Sequence, residues 1–168
     1  MIDASAIETE RLLLAPLAAA DAEELRRLTD DPRIVDAVSF LRSPFALADA
    51  QAMIASNGNG RDLFRGVRRR SDRVLIGVIG AHEDGTGAIE IGYWIGIAFQ
   101  RQGCGFEAAR GLVMQLAATH PAARIVAECR PENRASWRLL ERLGFRATGA
   151  PGARPGRLVL ALTAAGKQ

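Results

Sequence analysis

The run Gln100-Arg101-Gln102-Gly103-Cys104-Gly105 joins an apolar, strand-like segment, Ile89–Phe99, to a helix-like segment opening at Phe106. Its parts suit a pyrophosphate. Glycines let the backbone approach a ligand closely. The start of a helix presents free N–H groups and a partial positive charge to an anion. Arg101 adds a mobile cation, and the N–H groups of Gln102, Gly103, Cys104, Gly105 and Phe106 form the cradle. Read alone, the loop is either such a cradle or an ordinary strand-to-helix turn. A second block lies downstream, Pro131-Glu132-Asn133-Arg134-Ala135-Ser136-Trp137-Arg138-Leu139-Leu140-Glu141-Arg142-Leu143-Gly144-Phe145, and the order and spacing of the two are what make the signal specific.

Other chemistries find little footing. Two cysteines, Cys104 and Cys129, form no Cys-x-x-Cys, so no disulfide framework is expected. Cys104 reads as a small residue between two glycines, or as an exposed thiol, and Cys129 as core. His82 and His120 are far apart in sequence and have no cysteine pair beside them, so no metal site is expected. A Ser-His-Asp triad has no Gly-x-Ser-x-Gly to support it. Gly103-x-Gly105 lacks the third glycine of a dinucleotide-binding turn. The net charge is only +3, the arginines are scattered apart from Arg68-Arg69-Arg70, and one tyrosine gives no interleaved aromatics, so nucleic-acid binding is not expected. That arginine cluster reads as a solvated strand end and turn. No apolar run approaches the roughly 18 residues of a membrane span. Met1-Ile2-Asp3-Ala4-Ser5 does not look like a signal peptide, which points to the cytoplasm.

The elements that must position these residues can be read along the chain. Its 168 residues, 48% of them hydrophobic, predict a single domain over 1–168. Glu10–Leu14 is extended and Pro16 ends it. Asp21 is expected to cap a helix carrying Leu25 and Leu28, which Asp30-Asp31-Pro32 breaks. Ser43-Pro44 opens another helix with Leu47, Ala50, Met53 and Ile54 as its apolar stripe, closed by Asn57-Gly58-Asn59-Gly60. Leu63–Arg69, Val74–Ala81 and Ile89–Ile97 form a meander, the last apolar enough to be buried on both faces. A helix follows from Phe106 to about Thr119. His120-Pro121 ends it, with His120 complementing its dipole. Arg124–Cys129 is a strand. Asn133 caps a helix over Ala135–Leu143, stopped by Gly144. Gly149–Gly156 reads as a loop and Arg157–Leu162 as the final strand.

Taken together, these residues resemble the GCN5-related N-acetyltransferase (GNAT) superfamily, whose pyrophosphate loop is matched by Gln100–Gly105. More narrowly they resemble the ribosomal-protein N-terminal acetyltransferase branch, the RimJ/RimL type. That likeness rests on Glu8-Thr9-Glu10-Arg11-Leu12-Leu13-Leu14, on Glu90-Ile91-Gly92-Tyr93-Trp94-Ile95, and on Asn133-Arg134-Ala135-Ser136 through Leu143-Gly144-Phe145. It implies a mixed α/β fold: a mostly antiparallel seven-strand sheet, splayed between its fourth and fifth strands, with about four helices and acetyl-CoA in the splay. The chain departs from the branch in three places. Arginine is absent near Ala15. Phe106-Glu107-Ala108-Ala109-Arg110 places Glu107 two residues early. The tail after Leu162 is short.

The resemblance also implies roles. Backbone groups at Ile95 and Ile97, unpaired at the splay, would bind the pantetheine arm as an added strand does. Asn133 would contact the same arm or simply cap its helix. Ser136 would protonate the departing thiolate, or serve only as a local hydrogen-bonder. Glu90 would be the general base, working through water, or half of a cross-strand charge pair. His82 is a second candidate base, against a reading as a solvated histidine near a turn. The implied activity is acetyl transfer from acetyl-CoA to an amine, with no metal. The rival is a non-catalytic acyl-CoA-binding or sensing module. The acceptor is left open among protein N-termini, amino acids, polyamines and aminoglycoside-like amines, and a homodimer is compatible with the resemblance.

Overall fold

The structure, a computed structural model, describes residues 1–163. Eight strands form one sheet: β1 (Ile7–Glu8), β2 (Leu12–Pro16), β3 (Asp62–Arg69), β4 (Leu75–Glu83), β5 (Ala88–Ile95), β6 (Arg124–Cys129), β7 (Phe145–Pro151) and β8 (Leu158–Leu162). Their spatial order is β1-β2-β3-β4-β5-β6-β8-β7. Every pairing is antiparallel except β5 with β6, which is parallel. Five helices accompany it: α1 (Ala22–Thr29), α2 (Pro32–Val35), α3 (Leu47–Ser56), α4 (Cys104–Thr119) and α5 (Arg134–Arg142).

Alternation along the strands feeds two cores, one on each face. Leu12, Leu14, Val67, Ile79 and Ile91 pack with Ala109, Leu112 and Leu116 of α4 and Leu140 of α5. Phe64, Val78 and Trp94 pack with Leu25, Ile34, Phe45 and Met53 from the α1–α3 region. Trp94 is fixed there because its Nε1–H donates to the buried Thr29 Oγ1 at 3.1 Å. The parallel pair between β5 and β6 needs a crossover, and α4 supplies it.

The mixed, mostly antiparallel fold is as expected, with eight strands where seven were expected and five helices where four were. The two-residue β1 adds a strand at the front, so the strand counted as fourth by resemblance is β5. The second edge strand, β7, was read in part as loop. Only Phe145 of its seven residues is buried, so it shows no alternation. The short α2 was read as a break. Pro32 sits in its first turn and Asp31 accepts from Arg33 N–H, which is helix-start chemistry. Asp21 does not cap α1. Its carboxylate accepts from Ala18 N–H at 2.8 Å and from Arg68 at 2.7 Å. Pro44 lies outside α3, whose first turn is closed by Asp49 accepting from Ala46 N–H. Arg68, Arg69 and Arg70 close β3 and lead into its turn as expected, and each is paired, with Asp21 and Glu24, Asp72, and Glu8 respectively. The end of the tail, residues 164–168, lies outside the described residues.

Candidate active site

β5 and β6 pair only over Ala88–Glu90 with Arg124–Val126, then part. A cleft of about 720 Å³ runs through this splay, from the start of α4 past α5 to the loop before α3. The ladder between β4 and β5 decides which backbone groups face it. Gly96 N–H reaches the Ile76 carbonyl, so hydrogen-bonded pairs fall at Trp94, Gly92 and Glu90. The N–H and C=O groups of Tyr93 and Ile95 therefore point away from β4 and into the splay. The Ile95 carbonyl accepts from Gln100 Nε2 at 2.9 Å, and Ile97 lies beyond β5 in a 3-10 turn, its carbonyl facing Gln100 N–H at 3.4 Å. Of the backbone groups expected to be unpaired there, the carbonyls of Ile95 and Ile97 have partners, because the chain turns after Gly96, while the Ile95 N–H faces the splay. Tyr93, not singled out from sequence, offers backbone groups beside it.

At the other end of the cleft, α4 starts at Cys104, two residues earlier than expected. Gly103 is its N-cap, with φ 80° and no capping side chain. Glu107 N–H bonds the Gly103 carbonyl, so the N–H groups of Cys104, Gly105 and Phe106 have no helical acceptor. Gly103 and Gly105 are not equivalent. A Cβ on Gly105 would meet Leu139 and Ile95 at ordinary contact distance, whereas Gly103 needs its left-handed backbone. Arg101 is itself at φ 62°. Among the described residues, neither Arg101 nor Arg138 has an ion-pair partner, and Arg142 stacks on the Phe106 ring at 4.1 Å. Arg101, Arg138 and Arg142 line the same cleft as Gly103, Gly105 and Phe106. Cys104 is buried, so it presents no exposed thiol.

Asn133 fills the capping role, its Oδ1 accepting from Ser136 N–H at 3.2 Å at the start of α5, and it also lines the cleft. The cap also orients Ser136, whose Oγ lies 2.8 Å from Tyr93 Oη. Burial pushes the Tyr93 phenol well above its ordinary value, outweighing the Ser136 hydrogen bond, so it stays protonated. If Tyr93 donates to Ser136, the serine's own proton is directed elsewhere. The buried Cys129 sits behind them, and burial pushes its thiol up, making it a poor nucleophile.

Glu107, unassigned from sequence, proves to be a brace. Its Oε1 accepts from Thr9 Oγ1 at 2.6 Å and Arg11 N–H at 2.7 Å, and its Oε2 from Arg11 Nε at 2.7 Å. Arg11 Nη1 goes on to the Gln102 carbonyl at 3.0 Å. Burial would raise the Glu107 carboxyl, but these three donors outweigh it and hold it below the usual range. Its contribution is therefore present above the ordinary carboxylate range and is lost as pH falls through the lowered folded value. Arg11 is half exposed, so its share is screened. Glu107→Gln is expected to cost about 1–2 kcal/mol of stability, and to weaken acetyl-CoA binding several-fold with kcat unchanged. Thermal melts and calorimetry check both effects, and the variant's stability loss should vanish below the acid limb.

The opposite face of β5 carries the other expected residues. Glu90 is held by Arg154 through two bonds, 2.6 Å from Nη1 to Oε1 and 3.1 Å from Nη2 to Oε2. Arg154 also reaches Glu128 at 3.1 Å. Glu90 therefore faces the cleft as the partner of an arginine from the β7–β8 loop, and the base role loses its free oxygens. Arg157 of the same loop donates to the Ala37 carbonyl at 2.6 Å, closing the cleft's side. His82 is not a solvated turn residue. It lies on β4, against the Phe64 ring at 4.8 Å, with Nδ1 3.0 Å from Asp62 Oδ1. His120 at the end of α4 contacts Thr119 and the Met1 carbonyl, away from the cleft.

A mixed sheet splayed beside a glycine-capped helix, with a hydroxyl pair at the gap, is the framework of an acyltransferase. The Acetyltransferase (GNAT) domain model matches residues 11–146. The uncharacterized N-acetyltransferase YnaD of Bacillus subtilis (strain 168) is 26% identical over 144 residues, spanning 85% of this chain and 84% of that protein. A GNAT-family acetyltransferase from Bacillus anthracis has a TM-score of 0.82 at 23% identity, covering 94% of this chain and 98% of its own. RimL, a ribosomal L7/L12 alpha-N-protein acetyltransferase in complex with coenzyme A, has a TM-score of 0.81 at 19% identity, covering 94% and 97%. The chain belongs to the GNAT acetyltransferases and is an N-acetyltransferase. No helix among the described residues is long and apolar enough to cross a membrane.

Proposed function

We propose that this chain, acting as one domain in the cytoplasm, moves an acetyl group from acetyl-CoA to a primary amine by direct attack in a ternary complex. The observation that carries this reading is the Tyr93–Ser136 hydroxyl pair, set by the Asn133 cap beside the open edge of β5. In this reading the free N–H groups of Cys104, Gly105 and Phe106, with Gln102 and Gly103 preceding them, receive the pyrophosphate. Arg101, Arg138 and Arg142 balance the phosphates. Tyr93, Ile95 and Ile97 at the end of β5, with Asn133 Nδ2, line the path of the pantetheine arm. The amine nitrogen forms its bond to the acetyl carbon and gives up a proton to a basic group in the cleft as the C–S bond breaks; the thiolate takes a proton from Ser136 Oγ, which Tyr93 replenishes, and the hydroxyl pair regains one from solvent. Resemblance in the three segments named above supports placing the chain in the RimJ/RimL-like branch, and RimL is a coenzyme A-binding neighbour in fold.

A binding or sensing module would keep the loop but have no use for the hydroxyl pair. The test is calorimetry with acetyl-CoA, followed by thiol release on a panel of phenethylamine, spermidine, an aminoglycoside and a serine-terminated hexapeptide. Binding with turnover on at least one amine is expected. Binding with no turnover on any of them would favour the module, and absence of binding would remove both.

A further inference from the structure

The face of β5 opposite Tyr93 holds a hollow whose shape follows from the register. Three rows of partners cross β3, β4 and β5: Asp62–His82–Glu90, Phe64–Gly80–Gly92 and Gly66–Val78–Trp94. The middle row has two glycines. A Cβ on Gly80 would fall 2.7 Å from His82 Nε2 and 3.2 Å from the Phe64 ring, so the imidazole and the phenyl ring roof Gly80. A Cβ on Gly92 would meet nothing within 4 Å. Gly92 is therefore the bare floor of the cleft, directly beside the residue whose hydroxyl meets Ser136. Gly80 and Gly92 form a hydrogen-bonded pair, with Cα atoms about 5.5 Å apart in such ladders, so the imidazole overhangs the hollow.

We infer that the acceptor amine is received in the hollow over Gly92, and that His82, oriented by Asp62, takes its proton. This rests on the transferase reading above. An ionised carboxylate only accepts hydrogen bonds. Burial would raise the Asp62 carboxyl, but hydrogen bonds from Asn59 and His82 hold it below the usual range. Nδ1 of His82 is therefore the protonated nitrogen, and Nε2 of the neutral ring carries the lone pair. Nε2 has no hydrogen-bond partner among the described residues. The charged groups around the ring are Asp62 on β3, with Arg61 beside it, and Glu90 on β5, the latter held by Arg154 with Glu128 of β6. The Glu90 oxygens are both engaged and His82 Nε2 is unpartnered, which decides between the two candidate bases. As the N–C bond forms, Nε2 takes the proton the nitrogen sheds, the C–S bond breaks, and the sulfur takes its proton from Ser136. His82 then releases its proton to solvent while the Tyr93–Ser136 pair regains one.

Nitrogen-15 NMR of the free enzyme tests the tautomer without any acceptor, with His82→Gln assigning the signal against His120. The Nδ1–H form is expected. A proton on Nε2 of the neutral ring would overturn the proposal. With the best amine of the panel, His82→Gln is expected to lower kcat/KM at neutral pH on the order of 100-fold, moving its ascending limb to alkaline pH with acetyl-CoA affinity unchanged. Asp62→Asn, which keeps the imidazole, should show a smaller fall of the same kind and serves if His82→Gln does not fold. Gly92→Val should raise the acceptor KM alone. An unaltered pH profile in His82→Gln, or loss of the limb in Glu90→Gln instead, would sink the assignment. A wild type that binds acetyl-CoA but acetylates nothing would sink the transferase reading, and the NMR result would still decide the state of His82.

Discussion

Gly103→Val is expected to reduce acetyl-CoA affinity by roughly 10- to 100-fold, the largest loss from any single change in the loop. Gly103 holds φ 80° at the N-cap of α4, and a β-branched residue there stores about 1–3 kcal/mol of strain, enough for that factor. Its first side-chain carbon would also stand 3.3 Å from Arg11 Nη2, on the guanidinium whose Nη1 ties the loop to the front of the chain. Relief by a backbone flip would turn the N–H groups away from the cleft. Gly105→Ala is the control. Its added methyl touches only Leu139 and Ile95 at 3.4 and 3.5 Å, so affinity should change little. Calorimetry on the two variants separates a backbone requirement from simple crowding, and unchanged affinity in Gly103→Val would remove the main support for the loop as the cofactor grip.

Ser136→Ala should lower kcat about 100-fold while leaving the acetyl-CoA KM nearly alone, because proton donation to sulfur is an interaction of the transition state. Tyr93→Phe should also lower kcat if the two hydroxyls act as a relay, and the double variant should then be no worse than Ser136→Ala. Additive losses would mean independent roles, and a fully active Ser136→Ala enzyme would end the general-acid assignment. Asn133→Ala should behave differently. It removes both the side-chain Nδ2 and the cap, so KM should rise and stability should fall by about 1 kcal/mol. Steady-state kinetics at saturating acceptor separate these patterns.

The sequence made the loop, the meander and α5 legible because each is local. Glycine positions, apolar periodicity and the Asn133 cap are written in short runs. What it hid is set across the sheet. Arg65 is a charged residue in the middle of β3 and yet is fully buried, because Gln115 of α4 and the backbone at Asp3 and Ser5 close over it. Glu90 stood out on β5, but its partner Arg154 lies in a loop some sixty residues on. Tyr93 lies in a strand motif that gives it no role by itself, since only the contact across the splay with α5 does. His82 reads as turn-proximal because the apolar pattern ends at Ala81, whereas β4 runs on to Glu83. The early placement of Glu107 likewise has meaning only beside Thr9 and Arg11.

That last contact links two parts of the chain that sequence distance separates. The turn between β1 and β2 reaches the cofactor loop through Glu107, Arg11 and the Gln102 carbonyl. Coupling of this kind is reciprocal. Whatever the brace adds to the grip on acetyl-CoA, acetyl-CoA must return to the docking of the first strands. On the proposed reading of the loop as the cofactor grip, the loaded enzyme has a firmer front edge than the free one, and anything that pries the opening segment away, such as a protease, a fused tag or a neighbouring surface, competes with the cofactor although it never touches the cleft.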